Sequence, residues 1–314
     1  MKCLSKTIFR IFCVILLSLH CFVKKSNAQQ KAMYTQYMFN GLAINPAYSA
    51  MDEALTITAL SRHQWVGFKG APNTQTFSIH TPIKESNTSV GALIMRDQIG
   101  EVITEKGAYL TLAQRVPIGE NSYLAVGFNG GLSSYQANFS DNFGSSPLSI
   151  NDPVFNNQNN WRGNFGAGVI FFTKQFFVGL SSPHFYYRDF GSFNEGNSTT
   201  YRPHYLLQSA YLIPVSEQLK VKPNLLIKYV NGSPIQFDMN VNVLLYETLW
   251  VGASYRSLDS FDALAQIFIT PTLALGYSYD FAATDLAKVQ QGTHEISLQF
   301  RLPVKGRDFP RCYF

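Results

Sequence analysis

The chain has few charged residues, few cysteines and, beyond its first 28 residues, no long hydrophobic run. Charged residues make up 14% of its 314 residues, whereas soluble domains carry about 25%. No apolar run after residue 28 reaches the roughly 20 residues that a spanning helix needs. Cys3, Cys13 and Cys21 all precede residue 29, so only Cys312 follows it. These absences argue against an ordinary soluble domain, a helical membrane protein and a chain with internal disulfides.

The first 28 residues are predicted to be a secretory leader. Three basic residues precede an apolar run at 11–19, and Ser26 and Ala28 place small side chains at positions −3 and −1 of a cleavage site. A lipoprotein leader cut before Cys21 is the weaker alternative, because His20 is too large for the position that such a peptidase wants small. We therefore expect an exported protein.

The part that follows the leader is electrically balanced. Five of the 25 Lys and Arg residues and none of the 20 Asp and Glu residues precede residue 29, so 20 of each sign remain. Nucleic-acid binding needs a clustered basic face. The neutral chain gives no support to such a role.

After about residue 51 the sequence alternates between apolar and polar side chains, as β-strands do when one face is apolar and the other polar. The clearest case is 234–243, in which Ile235 and Phe237 alternate with Gln236 and Asp238. Fourteen such segments are predicted, an even number, as bacterial single-chain barrels require. The predicted segments are 55–62, 76–81, 90–96, 108–116, 123–135, 164–173, 176–182, 204–215, 219–229, 234–243, 249–257, 261–270, 272–281 and 295–302.

Short and long connections alternate between these segments, which is the asymmetry of an outer-membrane barrel. Tyrosines such as Tyr205, Tyr211 and Tyr255 fall where aromatic girdles are expected. We therefore predict an all-β, transmembrane outer-membrane β-barrel of about 14 antiparallel strands over residues 51–314, with a soluble β-sandwich as the alternative. The predicted connections are hairpin turns at 117–121, 173–175, 215–218 and 246–248 and long loops at 136–160 and 184–201.

Residues 29–50 fit neither a strand nor a helix, because alternation is absent and Asn45-Pro46 stops a helix there. We predict a plug that lies in or across the lumen, with a periplasmic tail or a first strand as alternatives. Glycines inside the strands, such as Gly127, Gly168 and Gly276, are predicted to mark bends or the close approach of something inside the barrel. The candidate plug or partner-binding residues are Tyr34, Gln36, Tyr37, Phe39, Asn40, Asn45, Pro46 and Tyr48. Polar candidates for the lumen, which could line a channel or bind the plug, are Lys228, Asp238, Arg256, Glu295 and Arg301.

Common catalytic motifs are absent from the sequence. The sequence lacks Gly-X-Ser-X-Gly, His-Glu-X-X-His, a phosphate-binding loop and Cys-X-X-Cys. A nucleophilic set of Ser209, His204 and Asp238 is supported by residue type alone. We expect no enzyme, no metal site and no cofactor.

Several short motifs run in order along most of the chain. They include Tyr34-Thr35-Gln36-Tyr37-Met38-Phe39-Asn40, Ile44-Asn45-Pro46-Ala47-Tyr48, Gln64-Trp65-Val66-Gly67, Asp97-Gln98-Ile99-Gly100, Asn164-Phe165-Gly166-Ala167-Gly168, Gly276-Tyr277-Ser278-Tyr279-Asp280 and Gly292-Thr293-His294-Glu295-Ile296. These motifs resemble those of the PorP/SprF family of outer-membrane proteins. One departure is Ser49-Ala50, where the family often has Ala-Gly, and another is the tail that ends at Phe314.

This resemblance implies an accessory barrel of the type IX secretion system and gliding machinery rather than the translocation pore. The implied partners are an exported adhesin with a type IX C-terminal sorting domain, periplasmic secretion-ring and peptidoglycan-binding components, and outer-membrane lipid. No catalytic residues come with it. The alternative function is a passive porin-like channel or a transporter of small solutes.

Overall fold

A computed structural model describes residues 33–84, 86–139, 157–189, 202–306 and 314. The predicted leader at 1–28 and Cys312 lie outside these residues. The described residues include no helix that could span a bilayer. The strands are β1 (Ala54–His63), β2 (Asn73–Pro82), β3 (Thr88–Ile99), β4 (Ile103–Gly119), β5 (Ser122–Ala137), β6 (Gln158–Thr173), β7 (Phe176–Asp189), β8 (His204–Tyr211), β9 (Ile213–Pro214), β10 (Leu219–Val230), β11 (Gln236–Leu245), β12 (Leu249–Arg256), β13 (Ser260–Thr270), β14 (Leu273–Ala282) and β15 (Thr293–Pro303).

Fourteen of these strands close into one barrel. Each pairs antiparallel with its neighbour in the ring, β10 pairs with both β8 and β11, and β1 closes the ring by pairing with β15. The two-residue β9 continues β8 beyond Leu212 and also pairs with β10. The predicted barrel of 14 antiparallel strands is confirmed for the described residues, and each predicted segment overlaps one strand of the ring.

The barrel carries its apolar side chains on the outside. In β11, Met239 and Val241 are 51% and 49% exposed, whereas Asn240 and Asn242 are 1% and 0% exposed inside the lumen. A water-soluble sandwich would bury the apolar set and expose the amides. The sandwich alternative is therefore wrong, and the outer face suits a hydrocarbon environment.

The two rims differ in the length of their connections. One rim, the short-turn rim, has connections of two to five residues and also holds the start of β1 and the end of β15. At the other, the long-loop rim, lie the longer connections, 64–72, 283–292 and two that include the undescribed residues 140–156 and 190–201, together with three short ones, 100–102, 231–235 and 257–259. In bacterial barrels the short turns face the periplasm and the longer loops face the exterior. We assign the two rims accordingly.

Aromatic side chains lie on the outer face near both rims. Close to the long-loop rim, Tyr205 stacks on Tyr229 with ring centroids 6.3 Å apart, and Tyr255 lies 4.9 Å from Phe261. Tyr211 lies at the opposite end of β8, near the short-turn rim. Aromatic girdles at the two membrane interfaces are typical of such barrels.

Four predicted connections are wrong in part. Of the predicted loop 136–160, residues 136–137 belong to β5 and 158–160 to β6, and Thr173 of the predicted turn 173–175 ends β6. Pro117 and Ile118, predicted in a turn, belong to β4, which pairs with β5 across a bulge that ends at Gly119. A bulge tolerates a proline that cannot donate to the ladder. Residues 184–189, predicted in a loop, continue β7, because an irregularity around Gly166 in the partner strand interrupts the alternation there without ending the pairing.

On the outer face, the loss of stability caused by an introduced charge is predicted to depend on how deep in the membrane the charge lies. Leu110, in the middle of β4, is 73% exposed on that face. We expect Leu110→Arg to lower the free energy of unfolding in lipid vesicles by about 2–4 kcal/mol, measured by urea titration. The matched control is Val215→Arg, 57% exposed in the connection at the short-turn rim, with an expected loss of about 0–1 kcal/mol. Equal losses at both positions would contradict a lipid-facing wall.

Candidate functional site in the barrel lumen

The lumen is occupied by residues 33–52, hereafter the lumen segment. Its backbone forms three short 3₁₀ turns, Tyr37–Phe39, Gly41–Ala43 and Pro46–Ala50. The third begins with Pro46 after Asn45, whose side chain accepts a hydrogen bond from the Ala47 amide at 2.9 Å. Asn and Pro are preferred at these two positions of a turn's start. The segment is therefore neither a strand nor a tail outside the barrel.

The start of the lumen segment is held by a buried group of charges near the long-loop rim, hereafter the upper cluster. Arg62 Nη2 lies 2.8 Å from Asp280 Oδ2, and Arg62 Nη1 lies 3.1 Å from Glu295 Oε2. Thr35 Oγ1 accepts a hydrogen bond from Arg62 Nη1 and donates to Asp280. The amides of Thr35 and Gln36 donate to the two Glu295 carboxylate oxygens at 3.0 and 2.7 Å. Charge-assisted bonds of this kind are stronger than neutral ones and fix the backbone to β1, β14 and β15.

A second arginine lies beside the upper cluster. Arg256 Nε lies 3.0 Å from Asp238 Oδ2, and its Nη1 lies 3.5 Å from Asp259. Its Nη2 donates to the Tyr34 carbonyl at 3.3 Å. Arg256 of β12 thus binds both Asp238 of β11 and the backbone of the lumen segment.

The middle of the lumen segment binds the wall through amides and an aromatic ring. Asn40 donates to Thr76 Oγ1 at 3.1 Å and accepts from Ser78 Oγ at 3.3 Å, so one side chain satisfies two inward residues of β2. The Lys222 ammonium lies 5.4 Å from the ring centroid of Phe39 and 4.7 Å from that of Trp250. Cation–π attraction of this kind is strongest where the cation is shielded from water.

The end of the lumen segment contacts β7 and β15, nearer the short-turn rim. Ser181 Oγ donates to the Ile44 carbonyl at 2.8 Å, and Tyr48 Oη donates to the Phe314 carbonyl at 2.6 Å. Arg301 donates two hydrogen bonds to Asp52, from Nε to Oδ2 at 3.0 Å and from Nη2 to Oδ1 at 2.6 Å. Burial acts to raise the pKa of Asp52, but its hydrogen bonds and ion pair with Arg301 outweigh burial and hold that pKa below its usual range.

Apolar packing accompanies these bonds. Tyr34, Tyr37, Met38 and Phe39 are buried in one cluster with inward leucines of the wall. Burial is the main cause that raises the pKa of the Tyr34 and Tyr37 phenols. The lumen segment therefore brings its own hydrophobic core into a cylinder whose wall is largely polar inside. The wall leucines of this cluster are Leu60, Leu206, Leu212, Leu226, Leu244 and Leu264.

Strand glycines let the lumen segment touch the wall. A Cβ atom on Gly127 would lie 2.3 Å from the Ala47 nitrogen, and one on Gly276 would lie 2.3 Å from Gln36 Oε1. Real side chains do not approach so closely. At Gly127 the clash is with backbone, so any other residue would displace the segment, whereas at Gly276 it is with the end of the Gln36 side chain. These two glycines mark the close approach that the sequence indicated.

The structure places all the predicted site residues in the lumen. The eight candidates of the lumen segment and the five polar wall candidates are buried. Glu295 joins the upper cluster, Asp238 pairs with Arg256 and Arg301 pairs with Asp52, whereas Lys228 joins none of these groups.

Sequence reasoning missed Arg62, Asp280, Thr35 and Asp52. Arg62 shares the inward parity of Thr56 and Thr58 in β1, so the alternation itself carried that signal. Asp280 likewise follows the inward parity of β14.

The structure does not assemble the Ser209, His204 and Asp238 set. Ser209 differs in parity from His204 on β8, so the two side chains point to opposite faces of the wall. Among the described residues no group of three or more His, Cys, Asp or Glu side chains is placed to hold a metal ion.

Comparison with known proteins gives one family and several barrels. The family model described as type IX secretion system membrane protein PorP/SprF matches residues 26–300. The CymD monoaromatic hydrocarbon channel is similar in structure, with a TM-score of 0.52 and 13% identity over 84% of this chain and 92% of that one. The Acinetobacter baumannii outer membrane protein Omp33 has a TM-score of 0.46 and 13% identity over 81% and 100% of the two chains. No curated protein matches the sequence. At such identity the likeness to CymD shows the fold alone.

Proposed function

The chain belongs to the PorP/SprF family of type IX secretion system membrane proteins, and from this premise we propose that it is a non-enzymatic accessory barrel for one exported adhesin. In this role it supports secretion, surface attachment or gliding by binding the adhesin's C-terminal sorting domain. Family and barrel fold together indicate the outer membrane as its location.

The observation that carries the proposal is the filled lumen. A translocation pore needs an open path for a polypeptide, but buried residues of the lumen segment fill the barrel from the upper cluster down to Asp52. A plugged barrel acts through its rims. We assign the long-loop rim to the exported adhesin and the short-turn rim to periplasmic ring and peptidoglycan-binding components.

The alternative, a passive channel or small-solute transporter, needs an aqueous path that the lumen segment blocks. Conductance in planar bilayers separates the two functions. The accessory barrel is nearly silent, whereas an open porin gives large steady steps.

Deletion of the gene tests the proposed function. We expect the surface display of one adhesin to be lost, because its sorting domain no longer finds this barrel, while general outer-membrane permeability stays unchanged. Display is measured by labelling intact cells and permeability by sensitivity to a bulky antibiotic. Complementation with the full-length gene restores display. Unaltered display of all type IX substrates in the deletion strain would refute the role.

A further inference from the structure

A cavity of about 420 Å³ lies above the lumen segment, among the connections of the long-loop rim. Met33 lines it from below, and Trp65 and Leu258 line it from the connections that follow β1 and β12. Pockets that bind small ligands measure about 300–1,000 Å³. The cavity, hereafter the mouth cavity, is large enough for a short piece of a polypeptide.

The two apolar side chains at its edge are held in strained backbone conformations. Trp65 and Leu258 have φ of 45° and 64°, in the left-handed region that side chains other than glycine and asparagine rarely adopt. Strain of this kind clusters at functional sites. The connection that carries Trp65 is tied down by backbone bonds, with Val66 N donating to Gly292 O at 2.9 Å and Gln291 N donating to Val66 O at 2.7 Å. These backbone hydrogen bonds hold Trp65 in place at the edge of the mouth cavity.

One cation in the lining has no partner. Arg62 and Arg256, which also line the mouth cavity, are paired with carboxylates. Lys228 is only 3% exposed, and its Nζ has no hydrogen-bond partner in the described part of the chain. The neighbouring Asp238 is bound by Arg256 at 3.0 Å. A buried ammonium that makes no hydrogen bond is costly even with Asp238 nearby, so an anionic group of a ligand that accepts a hydrogen bond from Lys228 would complete the site.

We propose that the mouth cavity binds a carboxylate-bearing residue of the exported polypeptide. The carboxylate pairs with Lys228 Nζ, and an adjoining apolar side chain packs between Trp65 and Leu258. The lining amides of Gln64 and Gln236 are available to peptide groups. This inference rests on the proposed function and names the chemistry that the long-loop rim recognises. A chain terminus and an acidic side chain supply the same carboxylate, and the test separates them.

Calorimetric titration of the full chain in detergent with three acetylated dipeptides tests the proposal. The probes are glutaminyl-leucine with a free terminal carboxylate, glutamyl-leucine amide, and the neutral glutaminyl-leucine amide. We expect at least one acidic probe to bind about tenfold or more tightly than the neutral one, since a charge-assisted hydrogen bond contributes at least that factor. The tighter acidic probe identifies the source of the carboxylate. Equal binding of all three, or no binding, overturns the proposal.

Two lysines on β10 provide matched variants. Lys228→Met removes the unpartnered ammonium at similar side-chain length, so its unfolding midpoint is expected to be unchanged or raised while the preference for acid is lost. Lys220, eight residues away and therefore about 27 Å along the strand, pairs with Glu247 near the short-turn rim. Lys220→Met is expected to keep the preference for acid. A Lys228→Met protein that also keeps it overturns the proposal.

The gene deletion and the titration fail independently. If deletion abolishes display but the wild-type protein shows no preference for acid, the accessory role stands and the carboxylate site is wrong. If the preference depends on Lys228 but display survives deletion, the site stands as a carboxylate site and its assignment to the exported polypeptide is wrong.

Discussion

Replacing Arg62 by alanine is expected to lower the free energy of unfolding by about 3–5 kcal/mol, because removal of one member of a buried ion group leaves the others uncompensated. Arg62 is 3% exposed and contacts Asp280, Glu295 and Thr35 within 3.1 Å. Without the guanidinium, two carboxylates face each other in the lumen, and Thr35 loses a donor. Urea titration in lipid vesicles measures the loss.

The control for this variant is an exposed ion pair. Lys69 lies 3.5 Å from Glu101, and the two side chains are 87% and 51% exposed. Lys69→Ala is expected to leave the unfolding midpoint unchanged, since solvent screens such pairs. A double variant with Glu295→Gln adds a second check. It should be more stable than the sum of the two single losses, because it removes the charge that Arg62→Ala leaves stranded. An Arg62→Ala protein as stable as the Lys69→Ala control would show that the upper cluster does not hold the fold.

Deleting residues 34–50 is expected to turn a nearly silent barrel into a conducting one. None of these residues takes part in the pairing of the described strands, and the inward charges that they cover become hydrated once the lumen fills with water. Planar-bilayer recordings should then show large steady steps that the full chain lacks. A silent deletion variant that still migrates as a folded barrel would contradict the idea that the lumen segment closes the path.

A matched pair of glycines on β5 controls for general damage to the wall. A Cβ atom on Gly127 would clash with the backbone of Pro46 and Ala47, whereas one on Gly130 would meet nothing within 4 Å. Gly127→Leu should push the segment off the wall and give intermittent conductance. Gly130→Leu, which points outward into lipid, should stay silent.

The barrel could be predicted from the sequence because its signal is local and repeated. Asn240 and Asn242 alternate with Met239 and Val241, so the two faces of the strand are visible in the sequence. The closed barrel then places the apolar face toward lipid. The ends of the strands were harder to predict. Pro117 reads as a turn residue, yet the bulge beside it lets β4 continue.

The contacts of the lumen segment could be predicted only in kind. Its amides and aromatic rings indicated a group of residues that would satisfy polar walls, and the strand glycines indicated close approach. Which partner each residue meets depends on the stagger of strands far apart in the sequence. The pairing of Thr35 with Asp280 is an example. No local pattern contains that stagger.

The partners of Gln36 have a consequence for the order of assembly. Its amide bonds to Glu295, 259 residues later, on the strand whose pairing with β1 also seals the cylinder. Gln36 therefore cannot form this contact until β15, near the end of the described chain, is in place. Contacts so distant in the chain make folding slow. A polypeptide truncated before β14 should therefore lose both the pairing that closes the barrel and the contacts that hold the lumen segment.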